Sequence, residues 1–250
     1  GLKINPFPSS PTPSYADSHI LGGKIHNEAR DAIVSCISDL YSKLDGKKPT
    51  DRDFRLITVI QDVGSGKTHL AFHIKGLPAI VNNTVTSYMD LAQVSPRDIH
   101  NIYDSILGGF SDNDVESLRR SLLYFMCNKV NQHGKYVRKV FNFGFLDSLS
   151  GNKSLNRKVE DILKGEQKLN FEYAPELLCS DFSEIQIDMM RSLLGDRLKS
   201  DVTKIRSLEG VINSLSSIAD MNLKLLKKLT IFEFDEFDSK KESLDFIKAI

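Results

Sequence analysis

The feature that most constrains this sequence is a glycine-containing run at positions 61–68, Gln-Asp-Val-Gly-Ser-Gly-Lys-Thr. Residues 54–60, just before it, are rich in apolar and β-branched types and predict a short buried strand. The pattern after it predicts a helix from Lys67 to about Lys75. Glycines let successive backbone N–H groups curl around an anion without Cβ clashes, and the N-terminus of the helix attracts the same anion. The run therefore predicts a phosphate-binding loop between a strand and a helix.

Two residues of this loop have specific expected roles toward a nucleotide. Lys67 would reach the β- and γ-phosphates, and the Thr68 hydroxyl would hold Mg²⁺. Gln61 stands where the full consensus, G-x-x-x-x-G-K-[ST], has its first glycine, which affects the turn off the strand more than phosphate binding. An ordinary strand-to-helix turn that contains glycine is the alternative. The predicted nucleotide-binding residues are Val63, Gly64, Ser65, Gly66, Lys67, Thr68 and His69.

Two adjacent acidic residues near the end of the sequence are candidates for holding Mg²⁺ and activating water. The apolar run at 229–234 predicts a strand, and Asp235 and Glu236 follow it. Asp235 would hold Mg²⁺, directly or through water, and Glu236 would polarise the attacking water. Glu233 and Asp238 are nearby acids, and solvated carboxylates at a strand end are the alternative.

The choice of ATP as the nucleotide rests on elimination. An acid beside the metal-binding aspartate is expected of ATP hydrolases, whereas GTP switches usually position water by other means. A guanine-reading Asn-Lys-x-Asp motif is missing, because residues 128–131 read Asn-Lys-Val-Asn and lack the aspartate. We therefore expect ATP and Mg²⁺ as the cofactors, with Lys67 and Glu236 as the catalytic residues.

The order of predicted elements indicates an α/β protein. An amphipathic helix is predicted over 26–44, a second strand over 78–82, and another helical region from 88–91. Strand, helix and strand in this order indicate a parallel sheet with crossover helices. Residues 96–228 are mostly helical in pattern, except that alternating aromatic residues at 136–145 suggest a strand.

Three segments together resemble the AAA+ ATPases, in particular the branch with the origin-recognition and STAND-like ATPases. They are residues 20–29, the loop at 63–68 and the acidic strand at 231–236. The resemblance implies a P-loop NTPase parallel sheet core at 18–107 and 225–250. The prolines at positions 6, 8, 11 and 13 predict an extended N-terminal segment, at 1–17. Thr68 and Asp235 are 167 positions apart. Two βαβ units take about 60 residues, so we assign 108–224 to a large, mainly helical insertion.

The resemblance also carries the expected function. It implies an ATP-binding, ATP-hydrolysing module that couples nucleotide state to conformational change or assembly, in DNA maintenance or antiviral defence. The family continues after its acidic strand with a sensor strand, an arginine finger and a helical lid, so we expect either a fragment or a degenerate ATPase. Turnover of the isolated chain would be weak, and a homo-oligomer or a partner subunit would supply the arginine. DNA binding rests on the analogy alone.

Two other classes of function stay open. One is a nucleotide-dependent switch or scaffold with little or no hydrolysis, and the other is an interaction protein with a vestigial loop. Composition limits the possible partners and compartments. The 33 basic residues balance 33 acidic ones, so no overall positive charge favours binding to nucleic acid. No apolar run approaches the roughly 20 residues of a membrane span, no signal peptide opens the sequence, and Cys36, Cys127 and Cys179 are scattered. We expect a cytoplasmic protein without a membrane partner.

Overall fold

The computed structural model describes residues 22–44, 54–60, 65–96, 98–143, 152–195 and 207–236. The chain divides into two compact units, residues 1–84 and residues 85–250. The predicted N-terminal segment at 1–17 lies outside the described residues. The predicted boundaries of core and insertion stay predictions.

The described part of the first unit contains three helices. They are α1 (Lys24–Leu44), α2 (Lys67–Gly76) and α3 (Pro78–Asn83). The predicted helices at 26–44 and from Lys67 are thus confirmed. Their contacts bury one side chain at the end of α1, two on α2 and one on α3: Leu44, Leu70, Ile74 and Ile80.

The second unit is mostly helical, as the pattern of 96–228 predicts. Its elements are β1 (Thr84–Asp90, starting at the unit boundary), α4 (Ile99–Gly108), α5 (Asp112–Asn128), α6 (Val130–Val140), α7 (Asn152–Leu163), α8 (Pro175–Leu178), α9 (Glu184–Leu193), α10 (Leu208–Leu226) and β2 (Leu229–Asp235). Short 3₁₀ turns lie at Leu91–Gln93 and Phe171–Tyr173. None of the helices in the described ranges is both long and apolar enough to cross a bilayer.

Helices α5 and α10 form the centre of the core of this unit. Leu122, Leu123 and Met126 of α5 and Ile218 and Met221 of α10 are completely shielded from solvent. Side-chain caps define where several helices begin. The Ser111 hydroxyl accepts from the Asp114 N–H at the start of α5, and Ser183 and Gln186 form a reciprocal capping box at α9.

The two strands, β1 and β2, pair in a parallel sheet. Five of the seven residues of β1 are buried, as is typical of a parallel strand covered on both faces. Helix α10 leads into β2 through Lys227, which adopts a left-handed conformation with φ 58°. The predicted strand at 229–234 is therefore confirmed, with one further residue at its end.

The predicted strand at 54–60 is wrong. All seven residues are exposed, including Leu56 at 63% and Ile60 at 85%, and they form no regular secondary structure. Strand propensity measures how well side chains fit a half-buried pleated surface, and it needs a paired neighbour to become a strand. Within the described ranges this segment has no such neighbour.

Three other local predictions are corrected. Residues 78–82 form helix α3, because Pro78 occupies its first turn, where the fixed φ of proline suits a helix. The predicted helical region at 88–91 is instead the end of β1 followed by a 3₁₀ turn. Residues 136–143 belong to α6 and the turn after it, because buried Val137, Val140 and Phe141 follow helical three- and four-residue spacing. Residues 144 and 145 lie outside the described part.

Candidate functional site

The described part of the predicted phosphate loop begins at Ser65. Gly66 is the N-cap of α2 and has φ 90° and ψ 22°, in the left-handed region that glycine enters without a Cβ penalty. Its carbonyl accepts the first hydrogen bond of the helix, from the Leu70 N–H at 2.9 Å. Val63 and Gly64, the first two predicted contact residues, lie outside the described ranges.

Helix α2 starts without a side-chain cap, since its N-cap is glycine. Its first turn holds no acidic residue, so no local carboxylate competes for the positive end of the helix dipole. Lys67, Thr68 and His69 make up this first turn and are half-buried. The geometry suits a phosphate approaching along the helix axis.

Helix α1 holds the loop from one side. The His26 ring, which is half-buried, places Nε2 2.8 Å from the Ser65 carbonyl oxygen. A Cβ added to Gly66 would lie 3.4 Å from the same nitrogen. The Ser65 Oγ is shielded from solvent and has no hydrogen-bond partner in the described part of the chain. No local pattern predicts the contact between His26 and Ser65, because the two residues are 39 positions apart.

The predicted acids lie at the carboxyl end of β2. Asp235 is the last residue of the strand, and Glu236 follows with φ 51° and is exposed. The Asp235 carboxylate is held at both oxygens: the Tyr88 hydroxyl donates to Oδ2 at 3.0 Å, and the Glu236 backbone N–H donates to Oδ1 at 2.9 Å. These two contacts hold the orientation of the Asp235 carboxylate at the end of β2.

Tyr88, on β1, is a residue that sequence reasoning missed. Burial is the main cause that raises the pKa of its hydroxyl, and the negative charge of Asp235 and the hydrogen bond to it raise the pKa further. Asp90 and Glu233 act in the same direction. Tyr88 therefore stays protonated at neutral pH and acts as a donor to Asp235. The two residues are 147 positions apart, and only the pairing of β1 with β2 brings them together.

The two predicted residue sets belong to different units. Lys67 and Thr68 lie in the first unit, and Asp235 and Glu236 lie in the second. Among the described residues, no three His, Cys, Asp or Glu side chains are grouped to hold a metal ion. Mg²⁺ at a nucleotide site usually needs only one or two protein groups beside water and phosphate oxygens, so such a cluster is not required. The assignment of Mg²⁺ to Thr68 and Asp235 stays a prediction.

Other residues whose side chains could carry chemistry lie on or between the described helices. Cys127 is buried in α5, and burial raises the pKa of its thiol to about 12, which disfavours the reactive thiolate. Residues 128–131, the near match to a guanine motif, span the corner between α5 and α6. His69 and His73 both lie on α2 without a nearby third ligand in the described chain.

Comparisons of this chain with protein-family models, with curated proteins and with solved structures found no significant match.

Proposed function

We propose that this chain is an AAA+-like ATP-binding module in which residues 63–69 hold the triphosphate. The observation that carries the proposal is the Gly-Ser-Gly-Lys-Thr run, with a left-handed glycine leading directly into a helix without a side-chain cap. A chance turn would need glycine for the backbone conformation, but it would not need lysine and threonine as the next two residues. Phosphate binding explains all three residue types together.

In this proposal the loop contributes charge and fixed donors. Lys67 neutralises the β- and γ-phosphates, and Thr68 contributes a hydroxyl to Mg²⁺. Asp235 is the metal-binding carboxylate, and Glu236 is the acid that polarises water. Such groups act electrostatically on charge spread over the phosphoryl oxygens, so their positions matter more than covalent chemistry.

Binding is tested by calorimetric titration of the chain with ATP, ADP and GTP in the presence of Mg²⁺. We expect ATP and ADP to bind more tightly than GTP, and we expect Lys67→Ala to lose most of the affinity. Lys75→Ala is the matched control, because Lys75 lies in the last turn of the same helix. If Lys67→Ala binds ATP like the wild type, or if the wild type binds no nucleotide, the proposal is wrong.

A second candidate function is a nucleotide-dependent switch or scaffold with slow hydrolysis. One observation favours it: Glu236 is exposed, and within the described residues its carboxylate has no hydrogen bond to hold it. A general base is effective only when it is held within reach of the water it polarises. Turnover of Glu236→Gln measured beside the wild type separates the two, since a hydrolase loses activity and a switch has little to lose.

The wider role rests on the family analogy. We propose that ATP drives a conformational or assembly step, with a second copy or a partner subunit supplying an arginine finger. DNA as a partner, in maintenance or defence, follows only from that analogy. A rise in turnover with protein concentration would support the shared arginine, and a constant turnover per chain would count against it.

A further inference from the structure

The hydrogen bond between α1 and the loop determines which way one peptide group of the loop faces. A carbonyl oxygen only accepts hydrogen bonds, so the contact at 2.8 Å requires that His26 Nε2 carries the proton. Both neutral imidazole, in the right tautomer, and imidazolium supply this donor. The ring therefore holds the Ser65 carbonyl toward α1.

The orientation of this carbonyl fixes the next donor of the loop. The Ser65 C=O and the Gly66 N–H belong to one planar trans peptide, in which the two bonds point in opposite directions. With the carbonyl held toward α1, the Gly66 N–H points away from α1. Phosphate loops bind their anion through such inward-facing amides. A flip of this peptide would instead present a carbonyl oxygen, which repels phosphate.

We propose that His26 is a positioning residue of the phosphate loop, and that its hydrogen bond to Ser65 keeps the Gly66 amide turned toward the phosphates of a bound nucleotide. The inference rests on the proposed function. Space at Gly66 supports it: a Cβ there would be 3.4 Å from His26 Nε2, so the ring packs closely against the peptide that it holds.

Two substitutions of similar size separate the hydrogen bond from packing. His26→Gln keeps an N–H donor at about the reach of Nε2, whereas His26→Leu fills the space without a donor. Asn27→Ala is the control, because that side chain donates to the carbonyl of Gly23, the residue just before α1, and not to the loop. ADP affinity is measured by calorimetry. We expect His26→Leu to bind ADP about tenfold more weakly, the effect of about one hydrogen bond, and His26→Gln and Asn27→Ala to stay near the wild type.

A spectroscopic measurement reads the Gly66 amide itself. Labelling with carbonyl-¹³C serine and ¹⁵N glycine selects only Ser–Gly pairs, and the sequence has two, 65–66 and 150–151. Ser150→Ala removes the second signal and so identifies it. ADP should shift the Gly66 signal in the wild type and in His26→Gln, and should shift it much less in His26→Leu.

Each outcome decides the inference. Wild-type ADP affinity in His26→Leu overturns it, as does an equal loss in His26→Leu and His26→Gln, and in both cases the proposed function stands because the wild type binds ADP. If the wild type binds no ADP, the proposed function fails and the inference fails with it. If His26→Leu does not fold, the wild-type Gly66 signal decides: a shift on adding ADP supports the inference, and an unchanged signal overturns it.

Discussion

Two seven-residue apolar segments of this chain have similar composition and different environments. Residues 54–60 are exposed along their whole length, whereas β2 (Leu229–Asp235) pairs with β1 and begins at Leu229, which is only 7% exposed. Each segment precedes residues with a predicted role toward a nucleotide. The difference shows that β-branched and aromatic composition permits a strand, while a neighbouring strand and a covered face produce one.

The two units differ in the same way, because apolar side chains are more exposed in the first unit than in the second. Among the described residues, seven of the eight large apolar side chains with substantial exposure belong to the first unit, and one belongs to the second: Ile25, Phe54, Leu56, Ile57, Val59, Ile60 and Val81, against Ile185. The second unit instead holds a continuous buried cluster from β1 to α10. Most of the stability of the described chain therefore comes from the second unit.

The largest expected effect compares one phenylalanine from each segment. Phe232 in β2 is half-buried and meets Phe110 edge to face, with ring centroids 6.2 Å apart, whereas Phe54 is 51% exposed. We expect Phe232→Ala to lower the free energy of unfolding by about 2 kcal/mol, and Phe54→Ala by less than about 0.5 kcal/mol. Urea denaturation followed by circular dichroism measures both. Equal losses would remove the distinction between the two segments.

The next effect compares an ion pair in each unit. Asp181 is half-buried between Lys129 and Lys224, whereas the α1 pair of Lys24 and Glu28 is exposed. We expect Asp181→Asn to cost about 1.5 kcal/mol at pH 7, and Glu28→Gln to have no measurable effect. Unfolding of the two variants and the wild type in urea at pH 7 checks this. A measurable loss in Glu28→Gln would mean that exposed pairs also support the first unit.

The same aspartate gives a pH dependence of known sign. Burial acts to raise the pKa of Asp181, but the hydrogen bonds from Lys129 and Ser180 and the charges of Lys129 and Lys224 outweigh it, so the pKa lies below the ordinary value of 3.8. A carboxyl with a lowered folded-state pKa stabilises the protein above pH 3.8 and loses that contribution as pH falls below it. The stability gap between the wild type and Asp181→Asn should therefore narrow in acid. If the difference in stability widens in acid, the pKa of Asp181 in the folded protein is not lowered.

The smallest effect concerns the contact between the two strands at the predicted acid. Tyr88→Phe removes the donor to Asp235 and keeps the ring, so we expect the free energy of unfolding to fall by about 0.7 kcal/mol. We also expect the substitution to weaken the binding of ATP in the presence of Mg²⁺ more than the binding of ATP alone. The comparison of affinities with and without Mg²⁺ checks the second part. An equal change in both would assign Tyr88 to the stability of the sheet rather than to the orientation of Asp235.

Local patterns predicted part of this structure, and contacts between distant residues account for most of the rest. The periodicity of α1, the glycine before α2 and the apolar run of β2 each lie within one short stretch of sequence, and all three elements formed as expected. Pro78 does not distinguish a strand from a helix, because proline suits both a strand edge and the first turn of a helix. The roles of His26 and Tyr88 could not be predicted from the sequence, because each side chain contacts a residue that is distant in sequence and that only the fold brings near.

Hydrogen–deuterium exchange with and without saturating ADP and Mg²⁺ tests the central claim most directly, because it reports on the backbone amides that would hold the phosphates. The account predicts slower exchange in peptides that cover 65–70, and a smaller change in Lys67→Ala at the same ADP concentration. Unchanged exchange at 65–70 in a chain that calorimetry shows to be saturated with ADP would place the nucleotide elsewhere and contradict the account.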